Sequence, residues 1–402
     1  MSERWRVLAL MTGAQAGASV VQQALGSLSP VLVATFALNK AQLGVVFTAM
    51  FLGSMCFTAI SGVLTDRWGE RRLVLWSGVL MAFALLAVPL IPAYAWLVAA
   101  IFVFGVGYAA STPVGGRAIL AYFDRDRGFA MGIRQTGVPV GGLFGALTLP
   151  LVASAFGLRA AFVFAAIVLI VPTLVAYAWY READAGGGEP ASFASIVRGM
   201  RALARDPRLL GVTLTCMVLV STQISLNAFL TITAVTDVAL SARIAALAFA
   251  TAHVFATFGR LGWGYVSDRV LGGERLVPLA IICVLASLAM GTLAVLGRGA
   301  VIPLFVAAAV LGVSGAGWNG LFAAALAEVG GTERAASALG IGLTAIFGAS
   351  AVAPAVFGAV ADATSLRISW TAFATIALLG VIPVLWLRTH LAPARRSATG
   401  EG

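Results

Sequence analysis

The chain has 402 residues, of which 60% are hydrophobic and 10% are charged, against roughly 45–50% apolar and 25% charged residues in soluble domains. This composition excludes an ordinary soluble protein. The formal net charge is +10, but the basic residues fall in short stretches between long apolar runs, so no continuous basic face forms and a nucleic-acid partner is not expected.

Twelve apolar segments follow one another along the chain, each about as long as the 20 residues that cross a bilayer as a helix. They are predicted at 7-36, 41-64, 73-92, 95-122, 129-154, 160-180, 209-235, 242-266, 277-297, 300-327, 337-361 and 368-388. Such long continuous apolar runs exclude a membrane β-barrel, whose strands alternate in polarity. The sequence predicts an all-α membrane protein with twelve transmembrane helices in two pseudo-symmetric six-helix bundles.

The longest polar segment separates the first six predicted spans from the last six. The expected organisation is an N-terminal bundle at 1-180, a cytoplasmic linker at 181-208, a C-terminal bundle at 209-390 and a cytoplasmic tail at 391-402. Of the 26 basic residues, 18 lie on the side of the membrane that carries both termini, five on the other side and three within spans. The positive-inside rule then places both termini in the cytoplasm. Richness in alanine, glycine and arginine is typical of a bacterial protein, so an inner (plasma) membrane location is expected.

An internal repeat relates the two halves. The loop after the second span reads GVLTDRWGERR from Gly62 to Arg72, and GYVSDR follows the eighth span from Gly264 to Arg269, 202 residues later. Parallel halves of this kind are a known route to transporters with a binding site near the membrane midplane.

The segment from Gly62 to Arg72 resembles the signature loop of the major facilitator superfamily, G-x-L-x-D-R-x-G-x-R/K-R/K. The resemblance extends over essentially the whole chain, through its twelve spans, mid-chain loop and second motif copy. It implies secondary transport and a cytoplasmic latch, whose gating residues would be Gly62, Asp66, Arg67, Gly69, Arg71, Asp268 and Arg269. The alternative is that these charges only set topology and cap helix ends.

Three arginines lie inside predicted spans, whereas every acidic residue lies in a loop or at a helix end. A charge at membrane depth costs about 2.5–3.5 kcal/mol on insertion scales and usually faces a wet cavity. A cavity with positive groups and no fixed negative ones favours an anionic substrate. A cationic drug would find no counter-ion there.

Arg260 is the first candidate for substrate binding, and His253 lies two helical turns away on the same face. The segment Gly259–Gly264 resembles helix eight of the oxalate:formate antiporter and monocarboxylate transporter families, in which an arginine here binds the substrate carboxylate. The alternative is that Arg260 snorkels to the inner surface. His253 is either a proton carrier or a neutral hydrogen-bonding wall residue.

Arg134 and Arg117 lie closer to the cytoplasmic end of their spans. The stretch from Arg127 to Gly137 resembles helix five of the anion:cation symporter groups of the superfamily, which makes Arg134 a candidate substrate contact. Arg117 is a candidate gating residue. For Arg134, a hydrogen-bonding role at the inner gate remains an equal alternative.

Polar and aromatic residues on other spans could complete a cavity wall. In the first span, Gln15, Ser19 and Gln22 share one helical face. The remaining candidates are Gln223 and Asn227 in the seventh span, Trp318 and Asn319 in the tenth, and Tyr108 in the fourth. Amides hydrogen-bond anions or hydroxyls at little charge cost; the alternative is interhelical hydrogen bonding worth about 0.6 kcal/mol per contact.

Together these patterns predict a secondary transporter of a small mono- or short dicarboxylate, working by alternating access and coupled to protons or a counter-anion. Efflux of neutral or amphipathic small molecules is the alternative. The common motifs of hydrolases, metalloproteases and nucleotide-binding loops are missing from the sequence. We therefore expect no enzymatic activity, cofactor or metal site, and partners limited to the lipid bilayer, the substrate and protons, with a functional monomer.

Overall fold

The computed structural model describes residues 2–123, 127–182 and 206–391. The predicted linker and tail therefore lie almost wholly outside the described residues. The helices are α1 (Glu3–Ala24), α2 (Ser29–Phe36), α3 (Lys40–Trp68), α4 (Glu70–Ala87), α5 (Tyr94–Tyr108), α6 (Ser111–Tyr122), α7 (Arg127–Trp179), α8 (Pro207–Thr236), α9 (Ala242–Tyr265), α10 (Leu276–Val295), α11 (Val301–Val313), α12 (Asn319–Ala363), α13 (Leu366–Leu379) and α14 (Val381–Leu391). Short 3-10 segments follow α1 and α4, and a π-helical turn at Val266–Val270 follows α9.

The described helices account for twelve membrane crossings. Within the described ranges, nine segments are long and apolar enough to span a membrane, and α5 and α11 are shorter apolar helices. One of the nine lies in α7, a run of 53 residues that as a straight helix would be about 80 Å long, far more than a bilayer needs. It breaks at Gly157, where φ is 84° and ψ is 167°, and therefore contains two spans. The twelve-span helical fold is confirmed.

The spans predicted as continuous helices at 95-122, 300-327 and 368-388 are each interrupted, the last of them at Gly380, and the span at 7-36 contains the 3-10 segment Leu25–Leu28. The fourth span breaks at Ala109–Ala110 and the tenth breaks over Ser314–Trp318. The broken backbone is tolerated because it lies inside the protein, where side chains satisfy freed carbonyl groups. In the tenth span, for example, the Trp263 indole Nε1 donates to the Val313 carbonyl at 2.8 Å.

Two groups of six spans, the N half (α1–α7) and the C half (α8–α14), meet along three helix pairs. Helix α3 packs against α12, α7 packs against α9, and α2 with the preceding 3-10 segment packs against α8. Within the N half, α1 lies along α7 and α3 lies along α5. The contact between the halves is therefore built from spans one, two and five on one side and seven, eight and eleven on the other.

The two halves touch closely at the end of the molecule that carries residues 37–39, 237–241 and 364–365, which we call the distal end. The Ser29 hydroxyl donates to the Ala228 carbonyl at 3.1 Å, and the Thr231 hydroxyl donates to the Gly26 carbonyl. On the α3–α12 pair, the Thr48 hydroxyl donates to the Ala351 carbonyl. Each of these bonds crosses from one half to the other.

Asp362 of the C half caps the first turn of α3 in the N half. Its two carboxylate oxygens accept from the backbone N–H groups of Lys40 at 3.0 Å and Ala41 at 2.7 Å, and the Lys40 ammonium lies 3.9 Å away. A carboxylate is stabilised at this position because free N–H groups and the positive end of the helix dipole point toward it. Asp362 therefore holds the distal ends of α3 and α12 together.

We expect Asp362→Asn to loosen the distal contact, because the amide loses the negative charge and one of its two acceptor oxygens. Hydrogen bonds to charged groups contribute about 1.5–3 kcal/mol, enough to shift a two-state population by roughly ten-fold or more. The measurement is the distance between two spin labels, attached to cysteines introduced by Ala37→Cys and Thr364→Cys. Asp237→Asn is the matched control, since Asp237 is bonded by Thr236 of its own half; equal distances in both variants would contradict the role of Asp362.

Candidate functional site

Arg260 lies at the crossing of α9 and α7, where the two halves meet. Its Nε donates to the Ala316 carbonyl at 3.3 Å and its Nη1 donates to the Gln135 carbonyl at 3.5 Å. The first carbonyl is in the broken stretch of the tenth span, and the second is in the N half. Both bonds are long for a charged donor, and the side chain is half-buried, so the guanidinium retains bonding capacity.

Arg134 is enclosed within the N half, with only 1% of its surface exposed. Its Nη2 donates to the Gln15 side-chain oxygen at 2.8 Å and to the Ser111 carbonyl beside the break in the fourth span. The Gln15 amide in turn donates to the Ser19 hydroxyl at 3.1 Å and to the Tyr108 hydroxyl at 3.2 Å. Arg134 thus fixes a polar chain that ends at Tyr108.

Tyr108, which accepts a hydrogen bond from Gln15, is close enough to the guanidinium groups of Arg134 and Arg260 to interact with both electrostatically. Among the described residues, the ion pairs are Arg6–Glu3, Lys40–Asp362, Arg275–Asp268 and Arg275–Glu328. Neither Arg134 nor Arg260 has a carboxylate partner in that part of the chain. One positive charge inside the N half and one at the contact between the halves are therefore not neutralised by the described side chains.

His253 faces the N half from α9 and is 5% exposed. A Cβ atom on Gly142 of α7 would lie 2.7 Å from its Nδ1, so this close approach requires glycine. The ring makes an edge contact with Phe249 at a centroid distance of 4.8 Å. Its Nε2 is buried and has no hydrogen-bond partner within the described ranges.

Besides Gln15, the described buried amides are one hydrogen-bonded pair and two side chains whose oxygens have no partner. The Asn227 side-chain amide donates to the Gln23 oxygen at 2.8 Å, joining the first and seventh spans. The side-chain oxygens of Gln22 and Gln223 are buried without a hydrogen-bond partner in the part of the chain that the structure describes. Sequence reasoning selected Gln22 for its spacing, whereas Gln23 makes the contact between the halves.

Trp318 and Asn319 stabilise the break in the tenth span. The Trp318 indole is 1% exposed and donates to the Gly315 carbonyl at 3.0 Å. The Asn319 amide donates to the Ala316 carbonyl at 3.3 Å, the same oxygen that accepts from Arg260. The two residues therefore shape the turn that positions Arg260.

The signature loop of the N half makes its described contacts within that half. Gly69, with φ at 79°, separates α3 from α4 in a conformation that L side chains rarely adopt. The Arg71 guanidinium donates to the Tyr177 carbonyl at 2.6 Å and lies 4.6 Å from that ring, while Arg67 is exposed. The side chains of Asp66 and Arg117, and the surroundings of Gly62, lie outside what the structure describes.

The second motif copy is organised by Arg275, which the sequence reasoning missed. Its guanidinium donates to Asp268 at 2.5 Å and to Glu328 at 3.0 Å, whereas Arg269 is exposed. Partial burial lowers the pKa of Arg275, but the hydrogen bonds to both carboxylates outweigh this effect and hold the pKa above its usual value. The sequence signal that could have identified Arg275 is its position, seven residues after the motif aspartate Asp268 and at the start of the next span.

Twelve helical spans in two halves, with buried polar groups where the halves meet, define a secondary transporter. The chain belongs to the Major Facilitator Superfamily, whose family model matches residues 11–345. Over 388 residues it is 26% identical to an uncharacterized MFS-type transporter of Mycobacterium tuberculosis, covering 95% of this chain and 83% of that protein.

A shorter match and a solved structure complete the comparisons. The chain is 29% identical over 171 residues to the 3-(3-hydroxy-phenyl)propionate transporter of Escherichia coli, which covers 42% of each protein. The crystal structure of a bacterial homolog of the human lysosomal transporter Spinster, in an inward-facing and unoccupied conformation, has the same fold. Its TM-score is 0.80, at 16% identity, covering 98% of this chain and 99% of that one.

Proposed function

We propose that this transporter moves a small organic anion, a mono- or short dicarboxylate, by alternating access. The observation that supports this most is Arg260, a cation at the contact between the halves with no carboxylate partner among the described residues. A positive group without a fixed counter-charge binds an anion and repels a cation.

A bound carboxylate would replace weak bonds with strong ones. Arg260 now donates to two backbone carbonyls at 3.3 and 3.5 Å, whereas guanidinium–carboxylate bonds are typically about 2.7–2.9 Å and can be bidentate. Tyr108, held by Gln15, would offer a hydroxyl from the N half. The substrate would thus contact both halves, which is what alternating access requires of a central site.

Coupling to protons or to a counter-anion is part of the proposal. Imidazole titrates near neutral pH in water, and the described spans carry no carboxylate beside Arg260, so His253 is the candidate proton carrier. Exchange for a second anion would need only Arg260. In the proposed orientation both termini lie in the cytoplasm of a bacterial cell, the distal end faces outward, and the signature loops gate the inner side.

The proposal is tested by a thermal-shift screen of the purified protein in detergent, with mono- and dicarboxylates, sugars and lipophilic drugs. A ligand that binds the native state raises the apparent melting temperature, so we expect the small carboxylates to do so in a saturable manner. Sugars serve as neutral controls of similar size. Stabilisation by neutral or lipophilic compounds alone would overturn the anion proposal and support efflux of such compounds.

A further inference from the structure

A small cavity lies inside the N half, next to the buried guanidinium of Arg134. Its volume is about 30 Å³, which is room for about two water molecules. Its polar lining consists of Gln15, Ser77, Ser111, Arg134 and Thr173. Arg260 does not line it, so this cavity is distinct from the place proposed for the substrate carboxylate, to which Gln15 connects it through Tyr108.

Arg134 has an unused hydrogen-bond donor in these surroundings. Its Nη2 is bonded to Gln15 and Ser111, but its Nε is buried without an acceptor in the described part of the chain. A Cβ atom on Gly115, which also lines the cavity, would lie 2.2 Å from this Nε. The guanidinium therefore packs directly against Gly115, and the absence of a side chain there is what lets Arg134 reach the edge of the cavity.

The positive charge of Arg134 has no described negative partner, just as its Nε–H group has no described acceptor. The side chain is 1% exposed, and the described residues that line the cavity include no carboxylate. Burying an unpaired ion costs several kcal/mol even after the protein relaxes. A water molecule could accept from Nε but would leave the charge in place, whereas a small anion would accept the hydrogen bond and neutralise the charge.

We propose that this cavity binds a monovalent inorganic anion, with chloride as the probe. Chloride is only moderately larger than water, whereas a dicarboxylate exceeds the available volume. The Ser77 and Thr173 hydroxyls now donate to carbonyls of their own helices and can rotate toward an anion. Because Arg134 holds Gln15, which holds Tyr108, the bound anion would stabilise the N-half side of the central site. This inference does not depend on the identity of the substrate.

The test compares apparent melting temperatures in sodium chloride and in sodium gluconate at equal ionic strength, in detergent and without substrate. We expect chloride to raise the melting temperature of the unaltered protein by a few degrees, with saturation. Arg134→Gln should lose this response. Arg260→Gln is the matched control, because it removes an arginine outside the cavity, and it should retain the response.

A second variant keeps the test decisive if Arg134→Gln fails to fold. Ser77→Val fills the cavity and leaves Arg134 in place, so it should also abolish the chloride response. Crystals grown in bromide should show an anomalous scattering peak within hydrogen-bond distance of Arg134 Nε. Equal melting temperatures in the two salts, an unchanged response in Ser77→Val, or a response lost only in Arg260→Gln would overturn the proposal.

Discussion

Arg260→Gln is expected to lower the affinity for a carboxylate substrate by roughly 30-fold or more. Removing one partner of a buried, hydrogen-bonded charge pair costs about 2–5 kcal/mol, and each 1.4 kcal/mol is a factor of ten in affinity. The glutamine can still donate a hydrogen bond but carries no charge. The measurement is binding by the purified protein, followed by uptake of the labelled carboxylate into proteoliposomes.

Two further variants separate charge from geometry. Arg260→Lys keeps the charge but loses the planar fork, so its affinity should lie between those of the unaltered protein and Arg260→Gln. Arg159→Gln removes an exposed arginine and should leave binding unchanged. Carboxylate affinity that survives Arg260→Gln would contradict the assignment of Arg260 as the anion-binding residue.

Gly26→Ala is expected to abolish transport by preventing closure of the distal end. A Cβ atom at this position would lie 1.4 Å from the Asn227 carbonyl oxygen and 2.6 Å from its carbon, contacts that no side-chain rotation can relieve. The first and seventh spans would have to separate, breaking the bond from Thr231 to the Gly26 carbonyl. We expect a longer spin-label distance between positions 37 and 364, and uptake close to background.

Gly13→Ala is the matched control for this effect. It adds the same methyl group to the same span, but the nearest atom would be 3.9 Å away, on Pro172. The control should transport normally and give the distance of the unaltered protein. Normal transport by Gly26→Ala would mean that the distal contact of the first and seventh spans is not needed for the transport cycle.

Hydropathy predicted the twelve spans because crossing a bilayer imposes a length and an apolar composition on each one. It did not predict the breaks at Ala109–Ala110 and Ser314–Trp318, since the apolar runs continue through both. What permits each break is tertiary: side chains from neighbouring spans, such as Trp263, bond to the freed carbonyls. Sequence alone does not say which distant donor will be present.

The same limit applies to the candidate site. A seven-residue spacing placed Arg260 and His253 on one face, and both lie where α9 meets the N half. The contact of Gln23 with Asn227 was not predicted, because the orientation of the first span depends on its packing against the seventh. Likewise, the burial of Arg134 depends on Gly115 of another helix, which no local pattern reveals.

At the distal end, the hydrogen bonds described between the halves join a side chain to a backbone group, while the ion pair of Lys40 and Asp362 joins two side chains. Ser29, Thr48, Thr231 and Asp362 each bond to main-chain atoms of the opposite half. On the backbone partner's side the hydrogen bond itself demands no particular side chain, because every residue type has a carbonyl group and all but proline have an N–H group. What limits divergence there is space, as at Gly26, and we expect compensating double substitutions at this contact only for the pair Lys40 and Asp362.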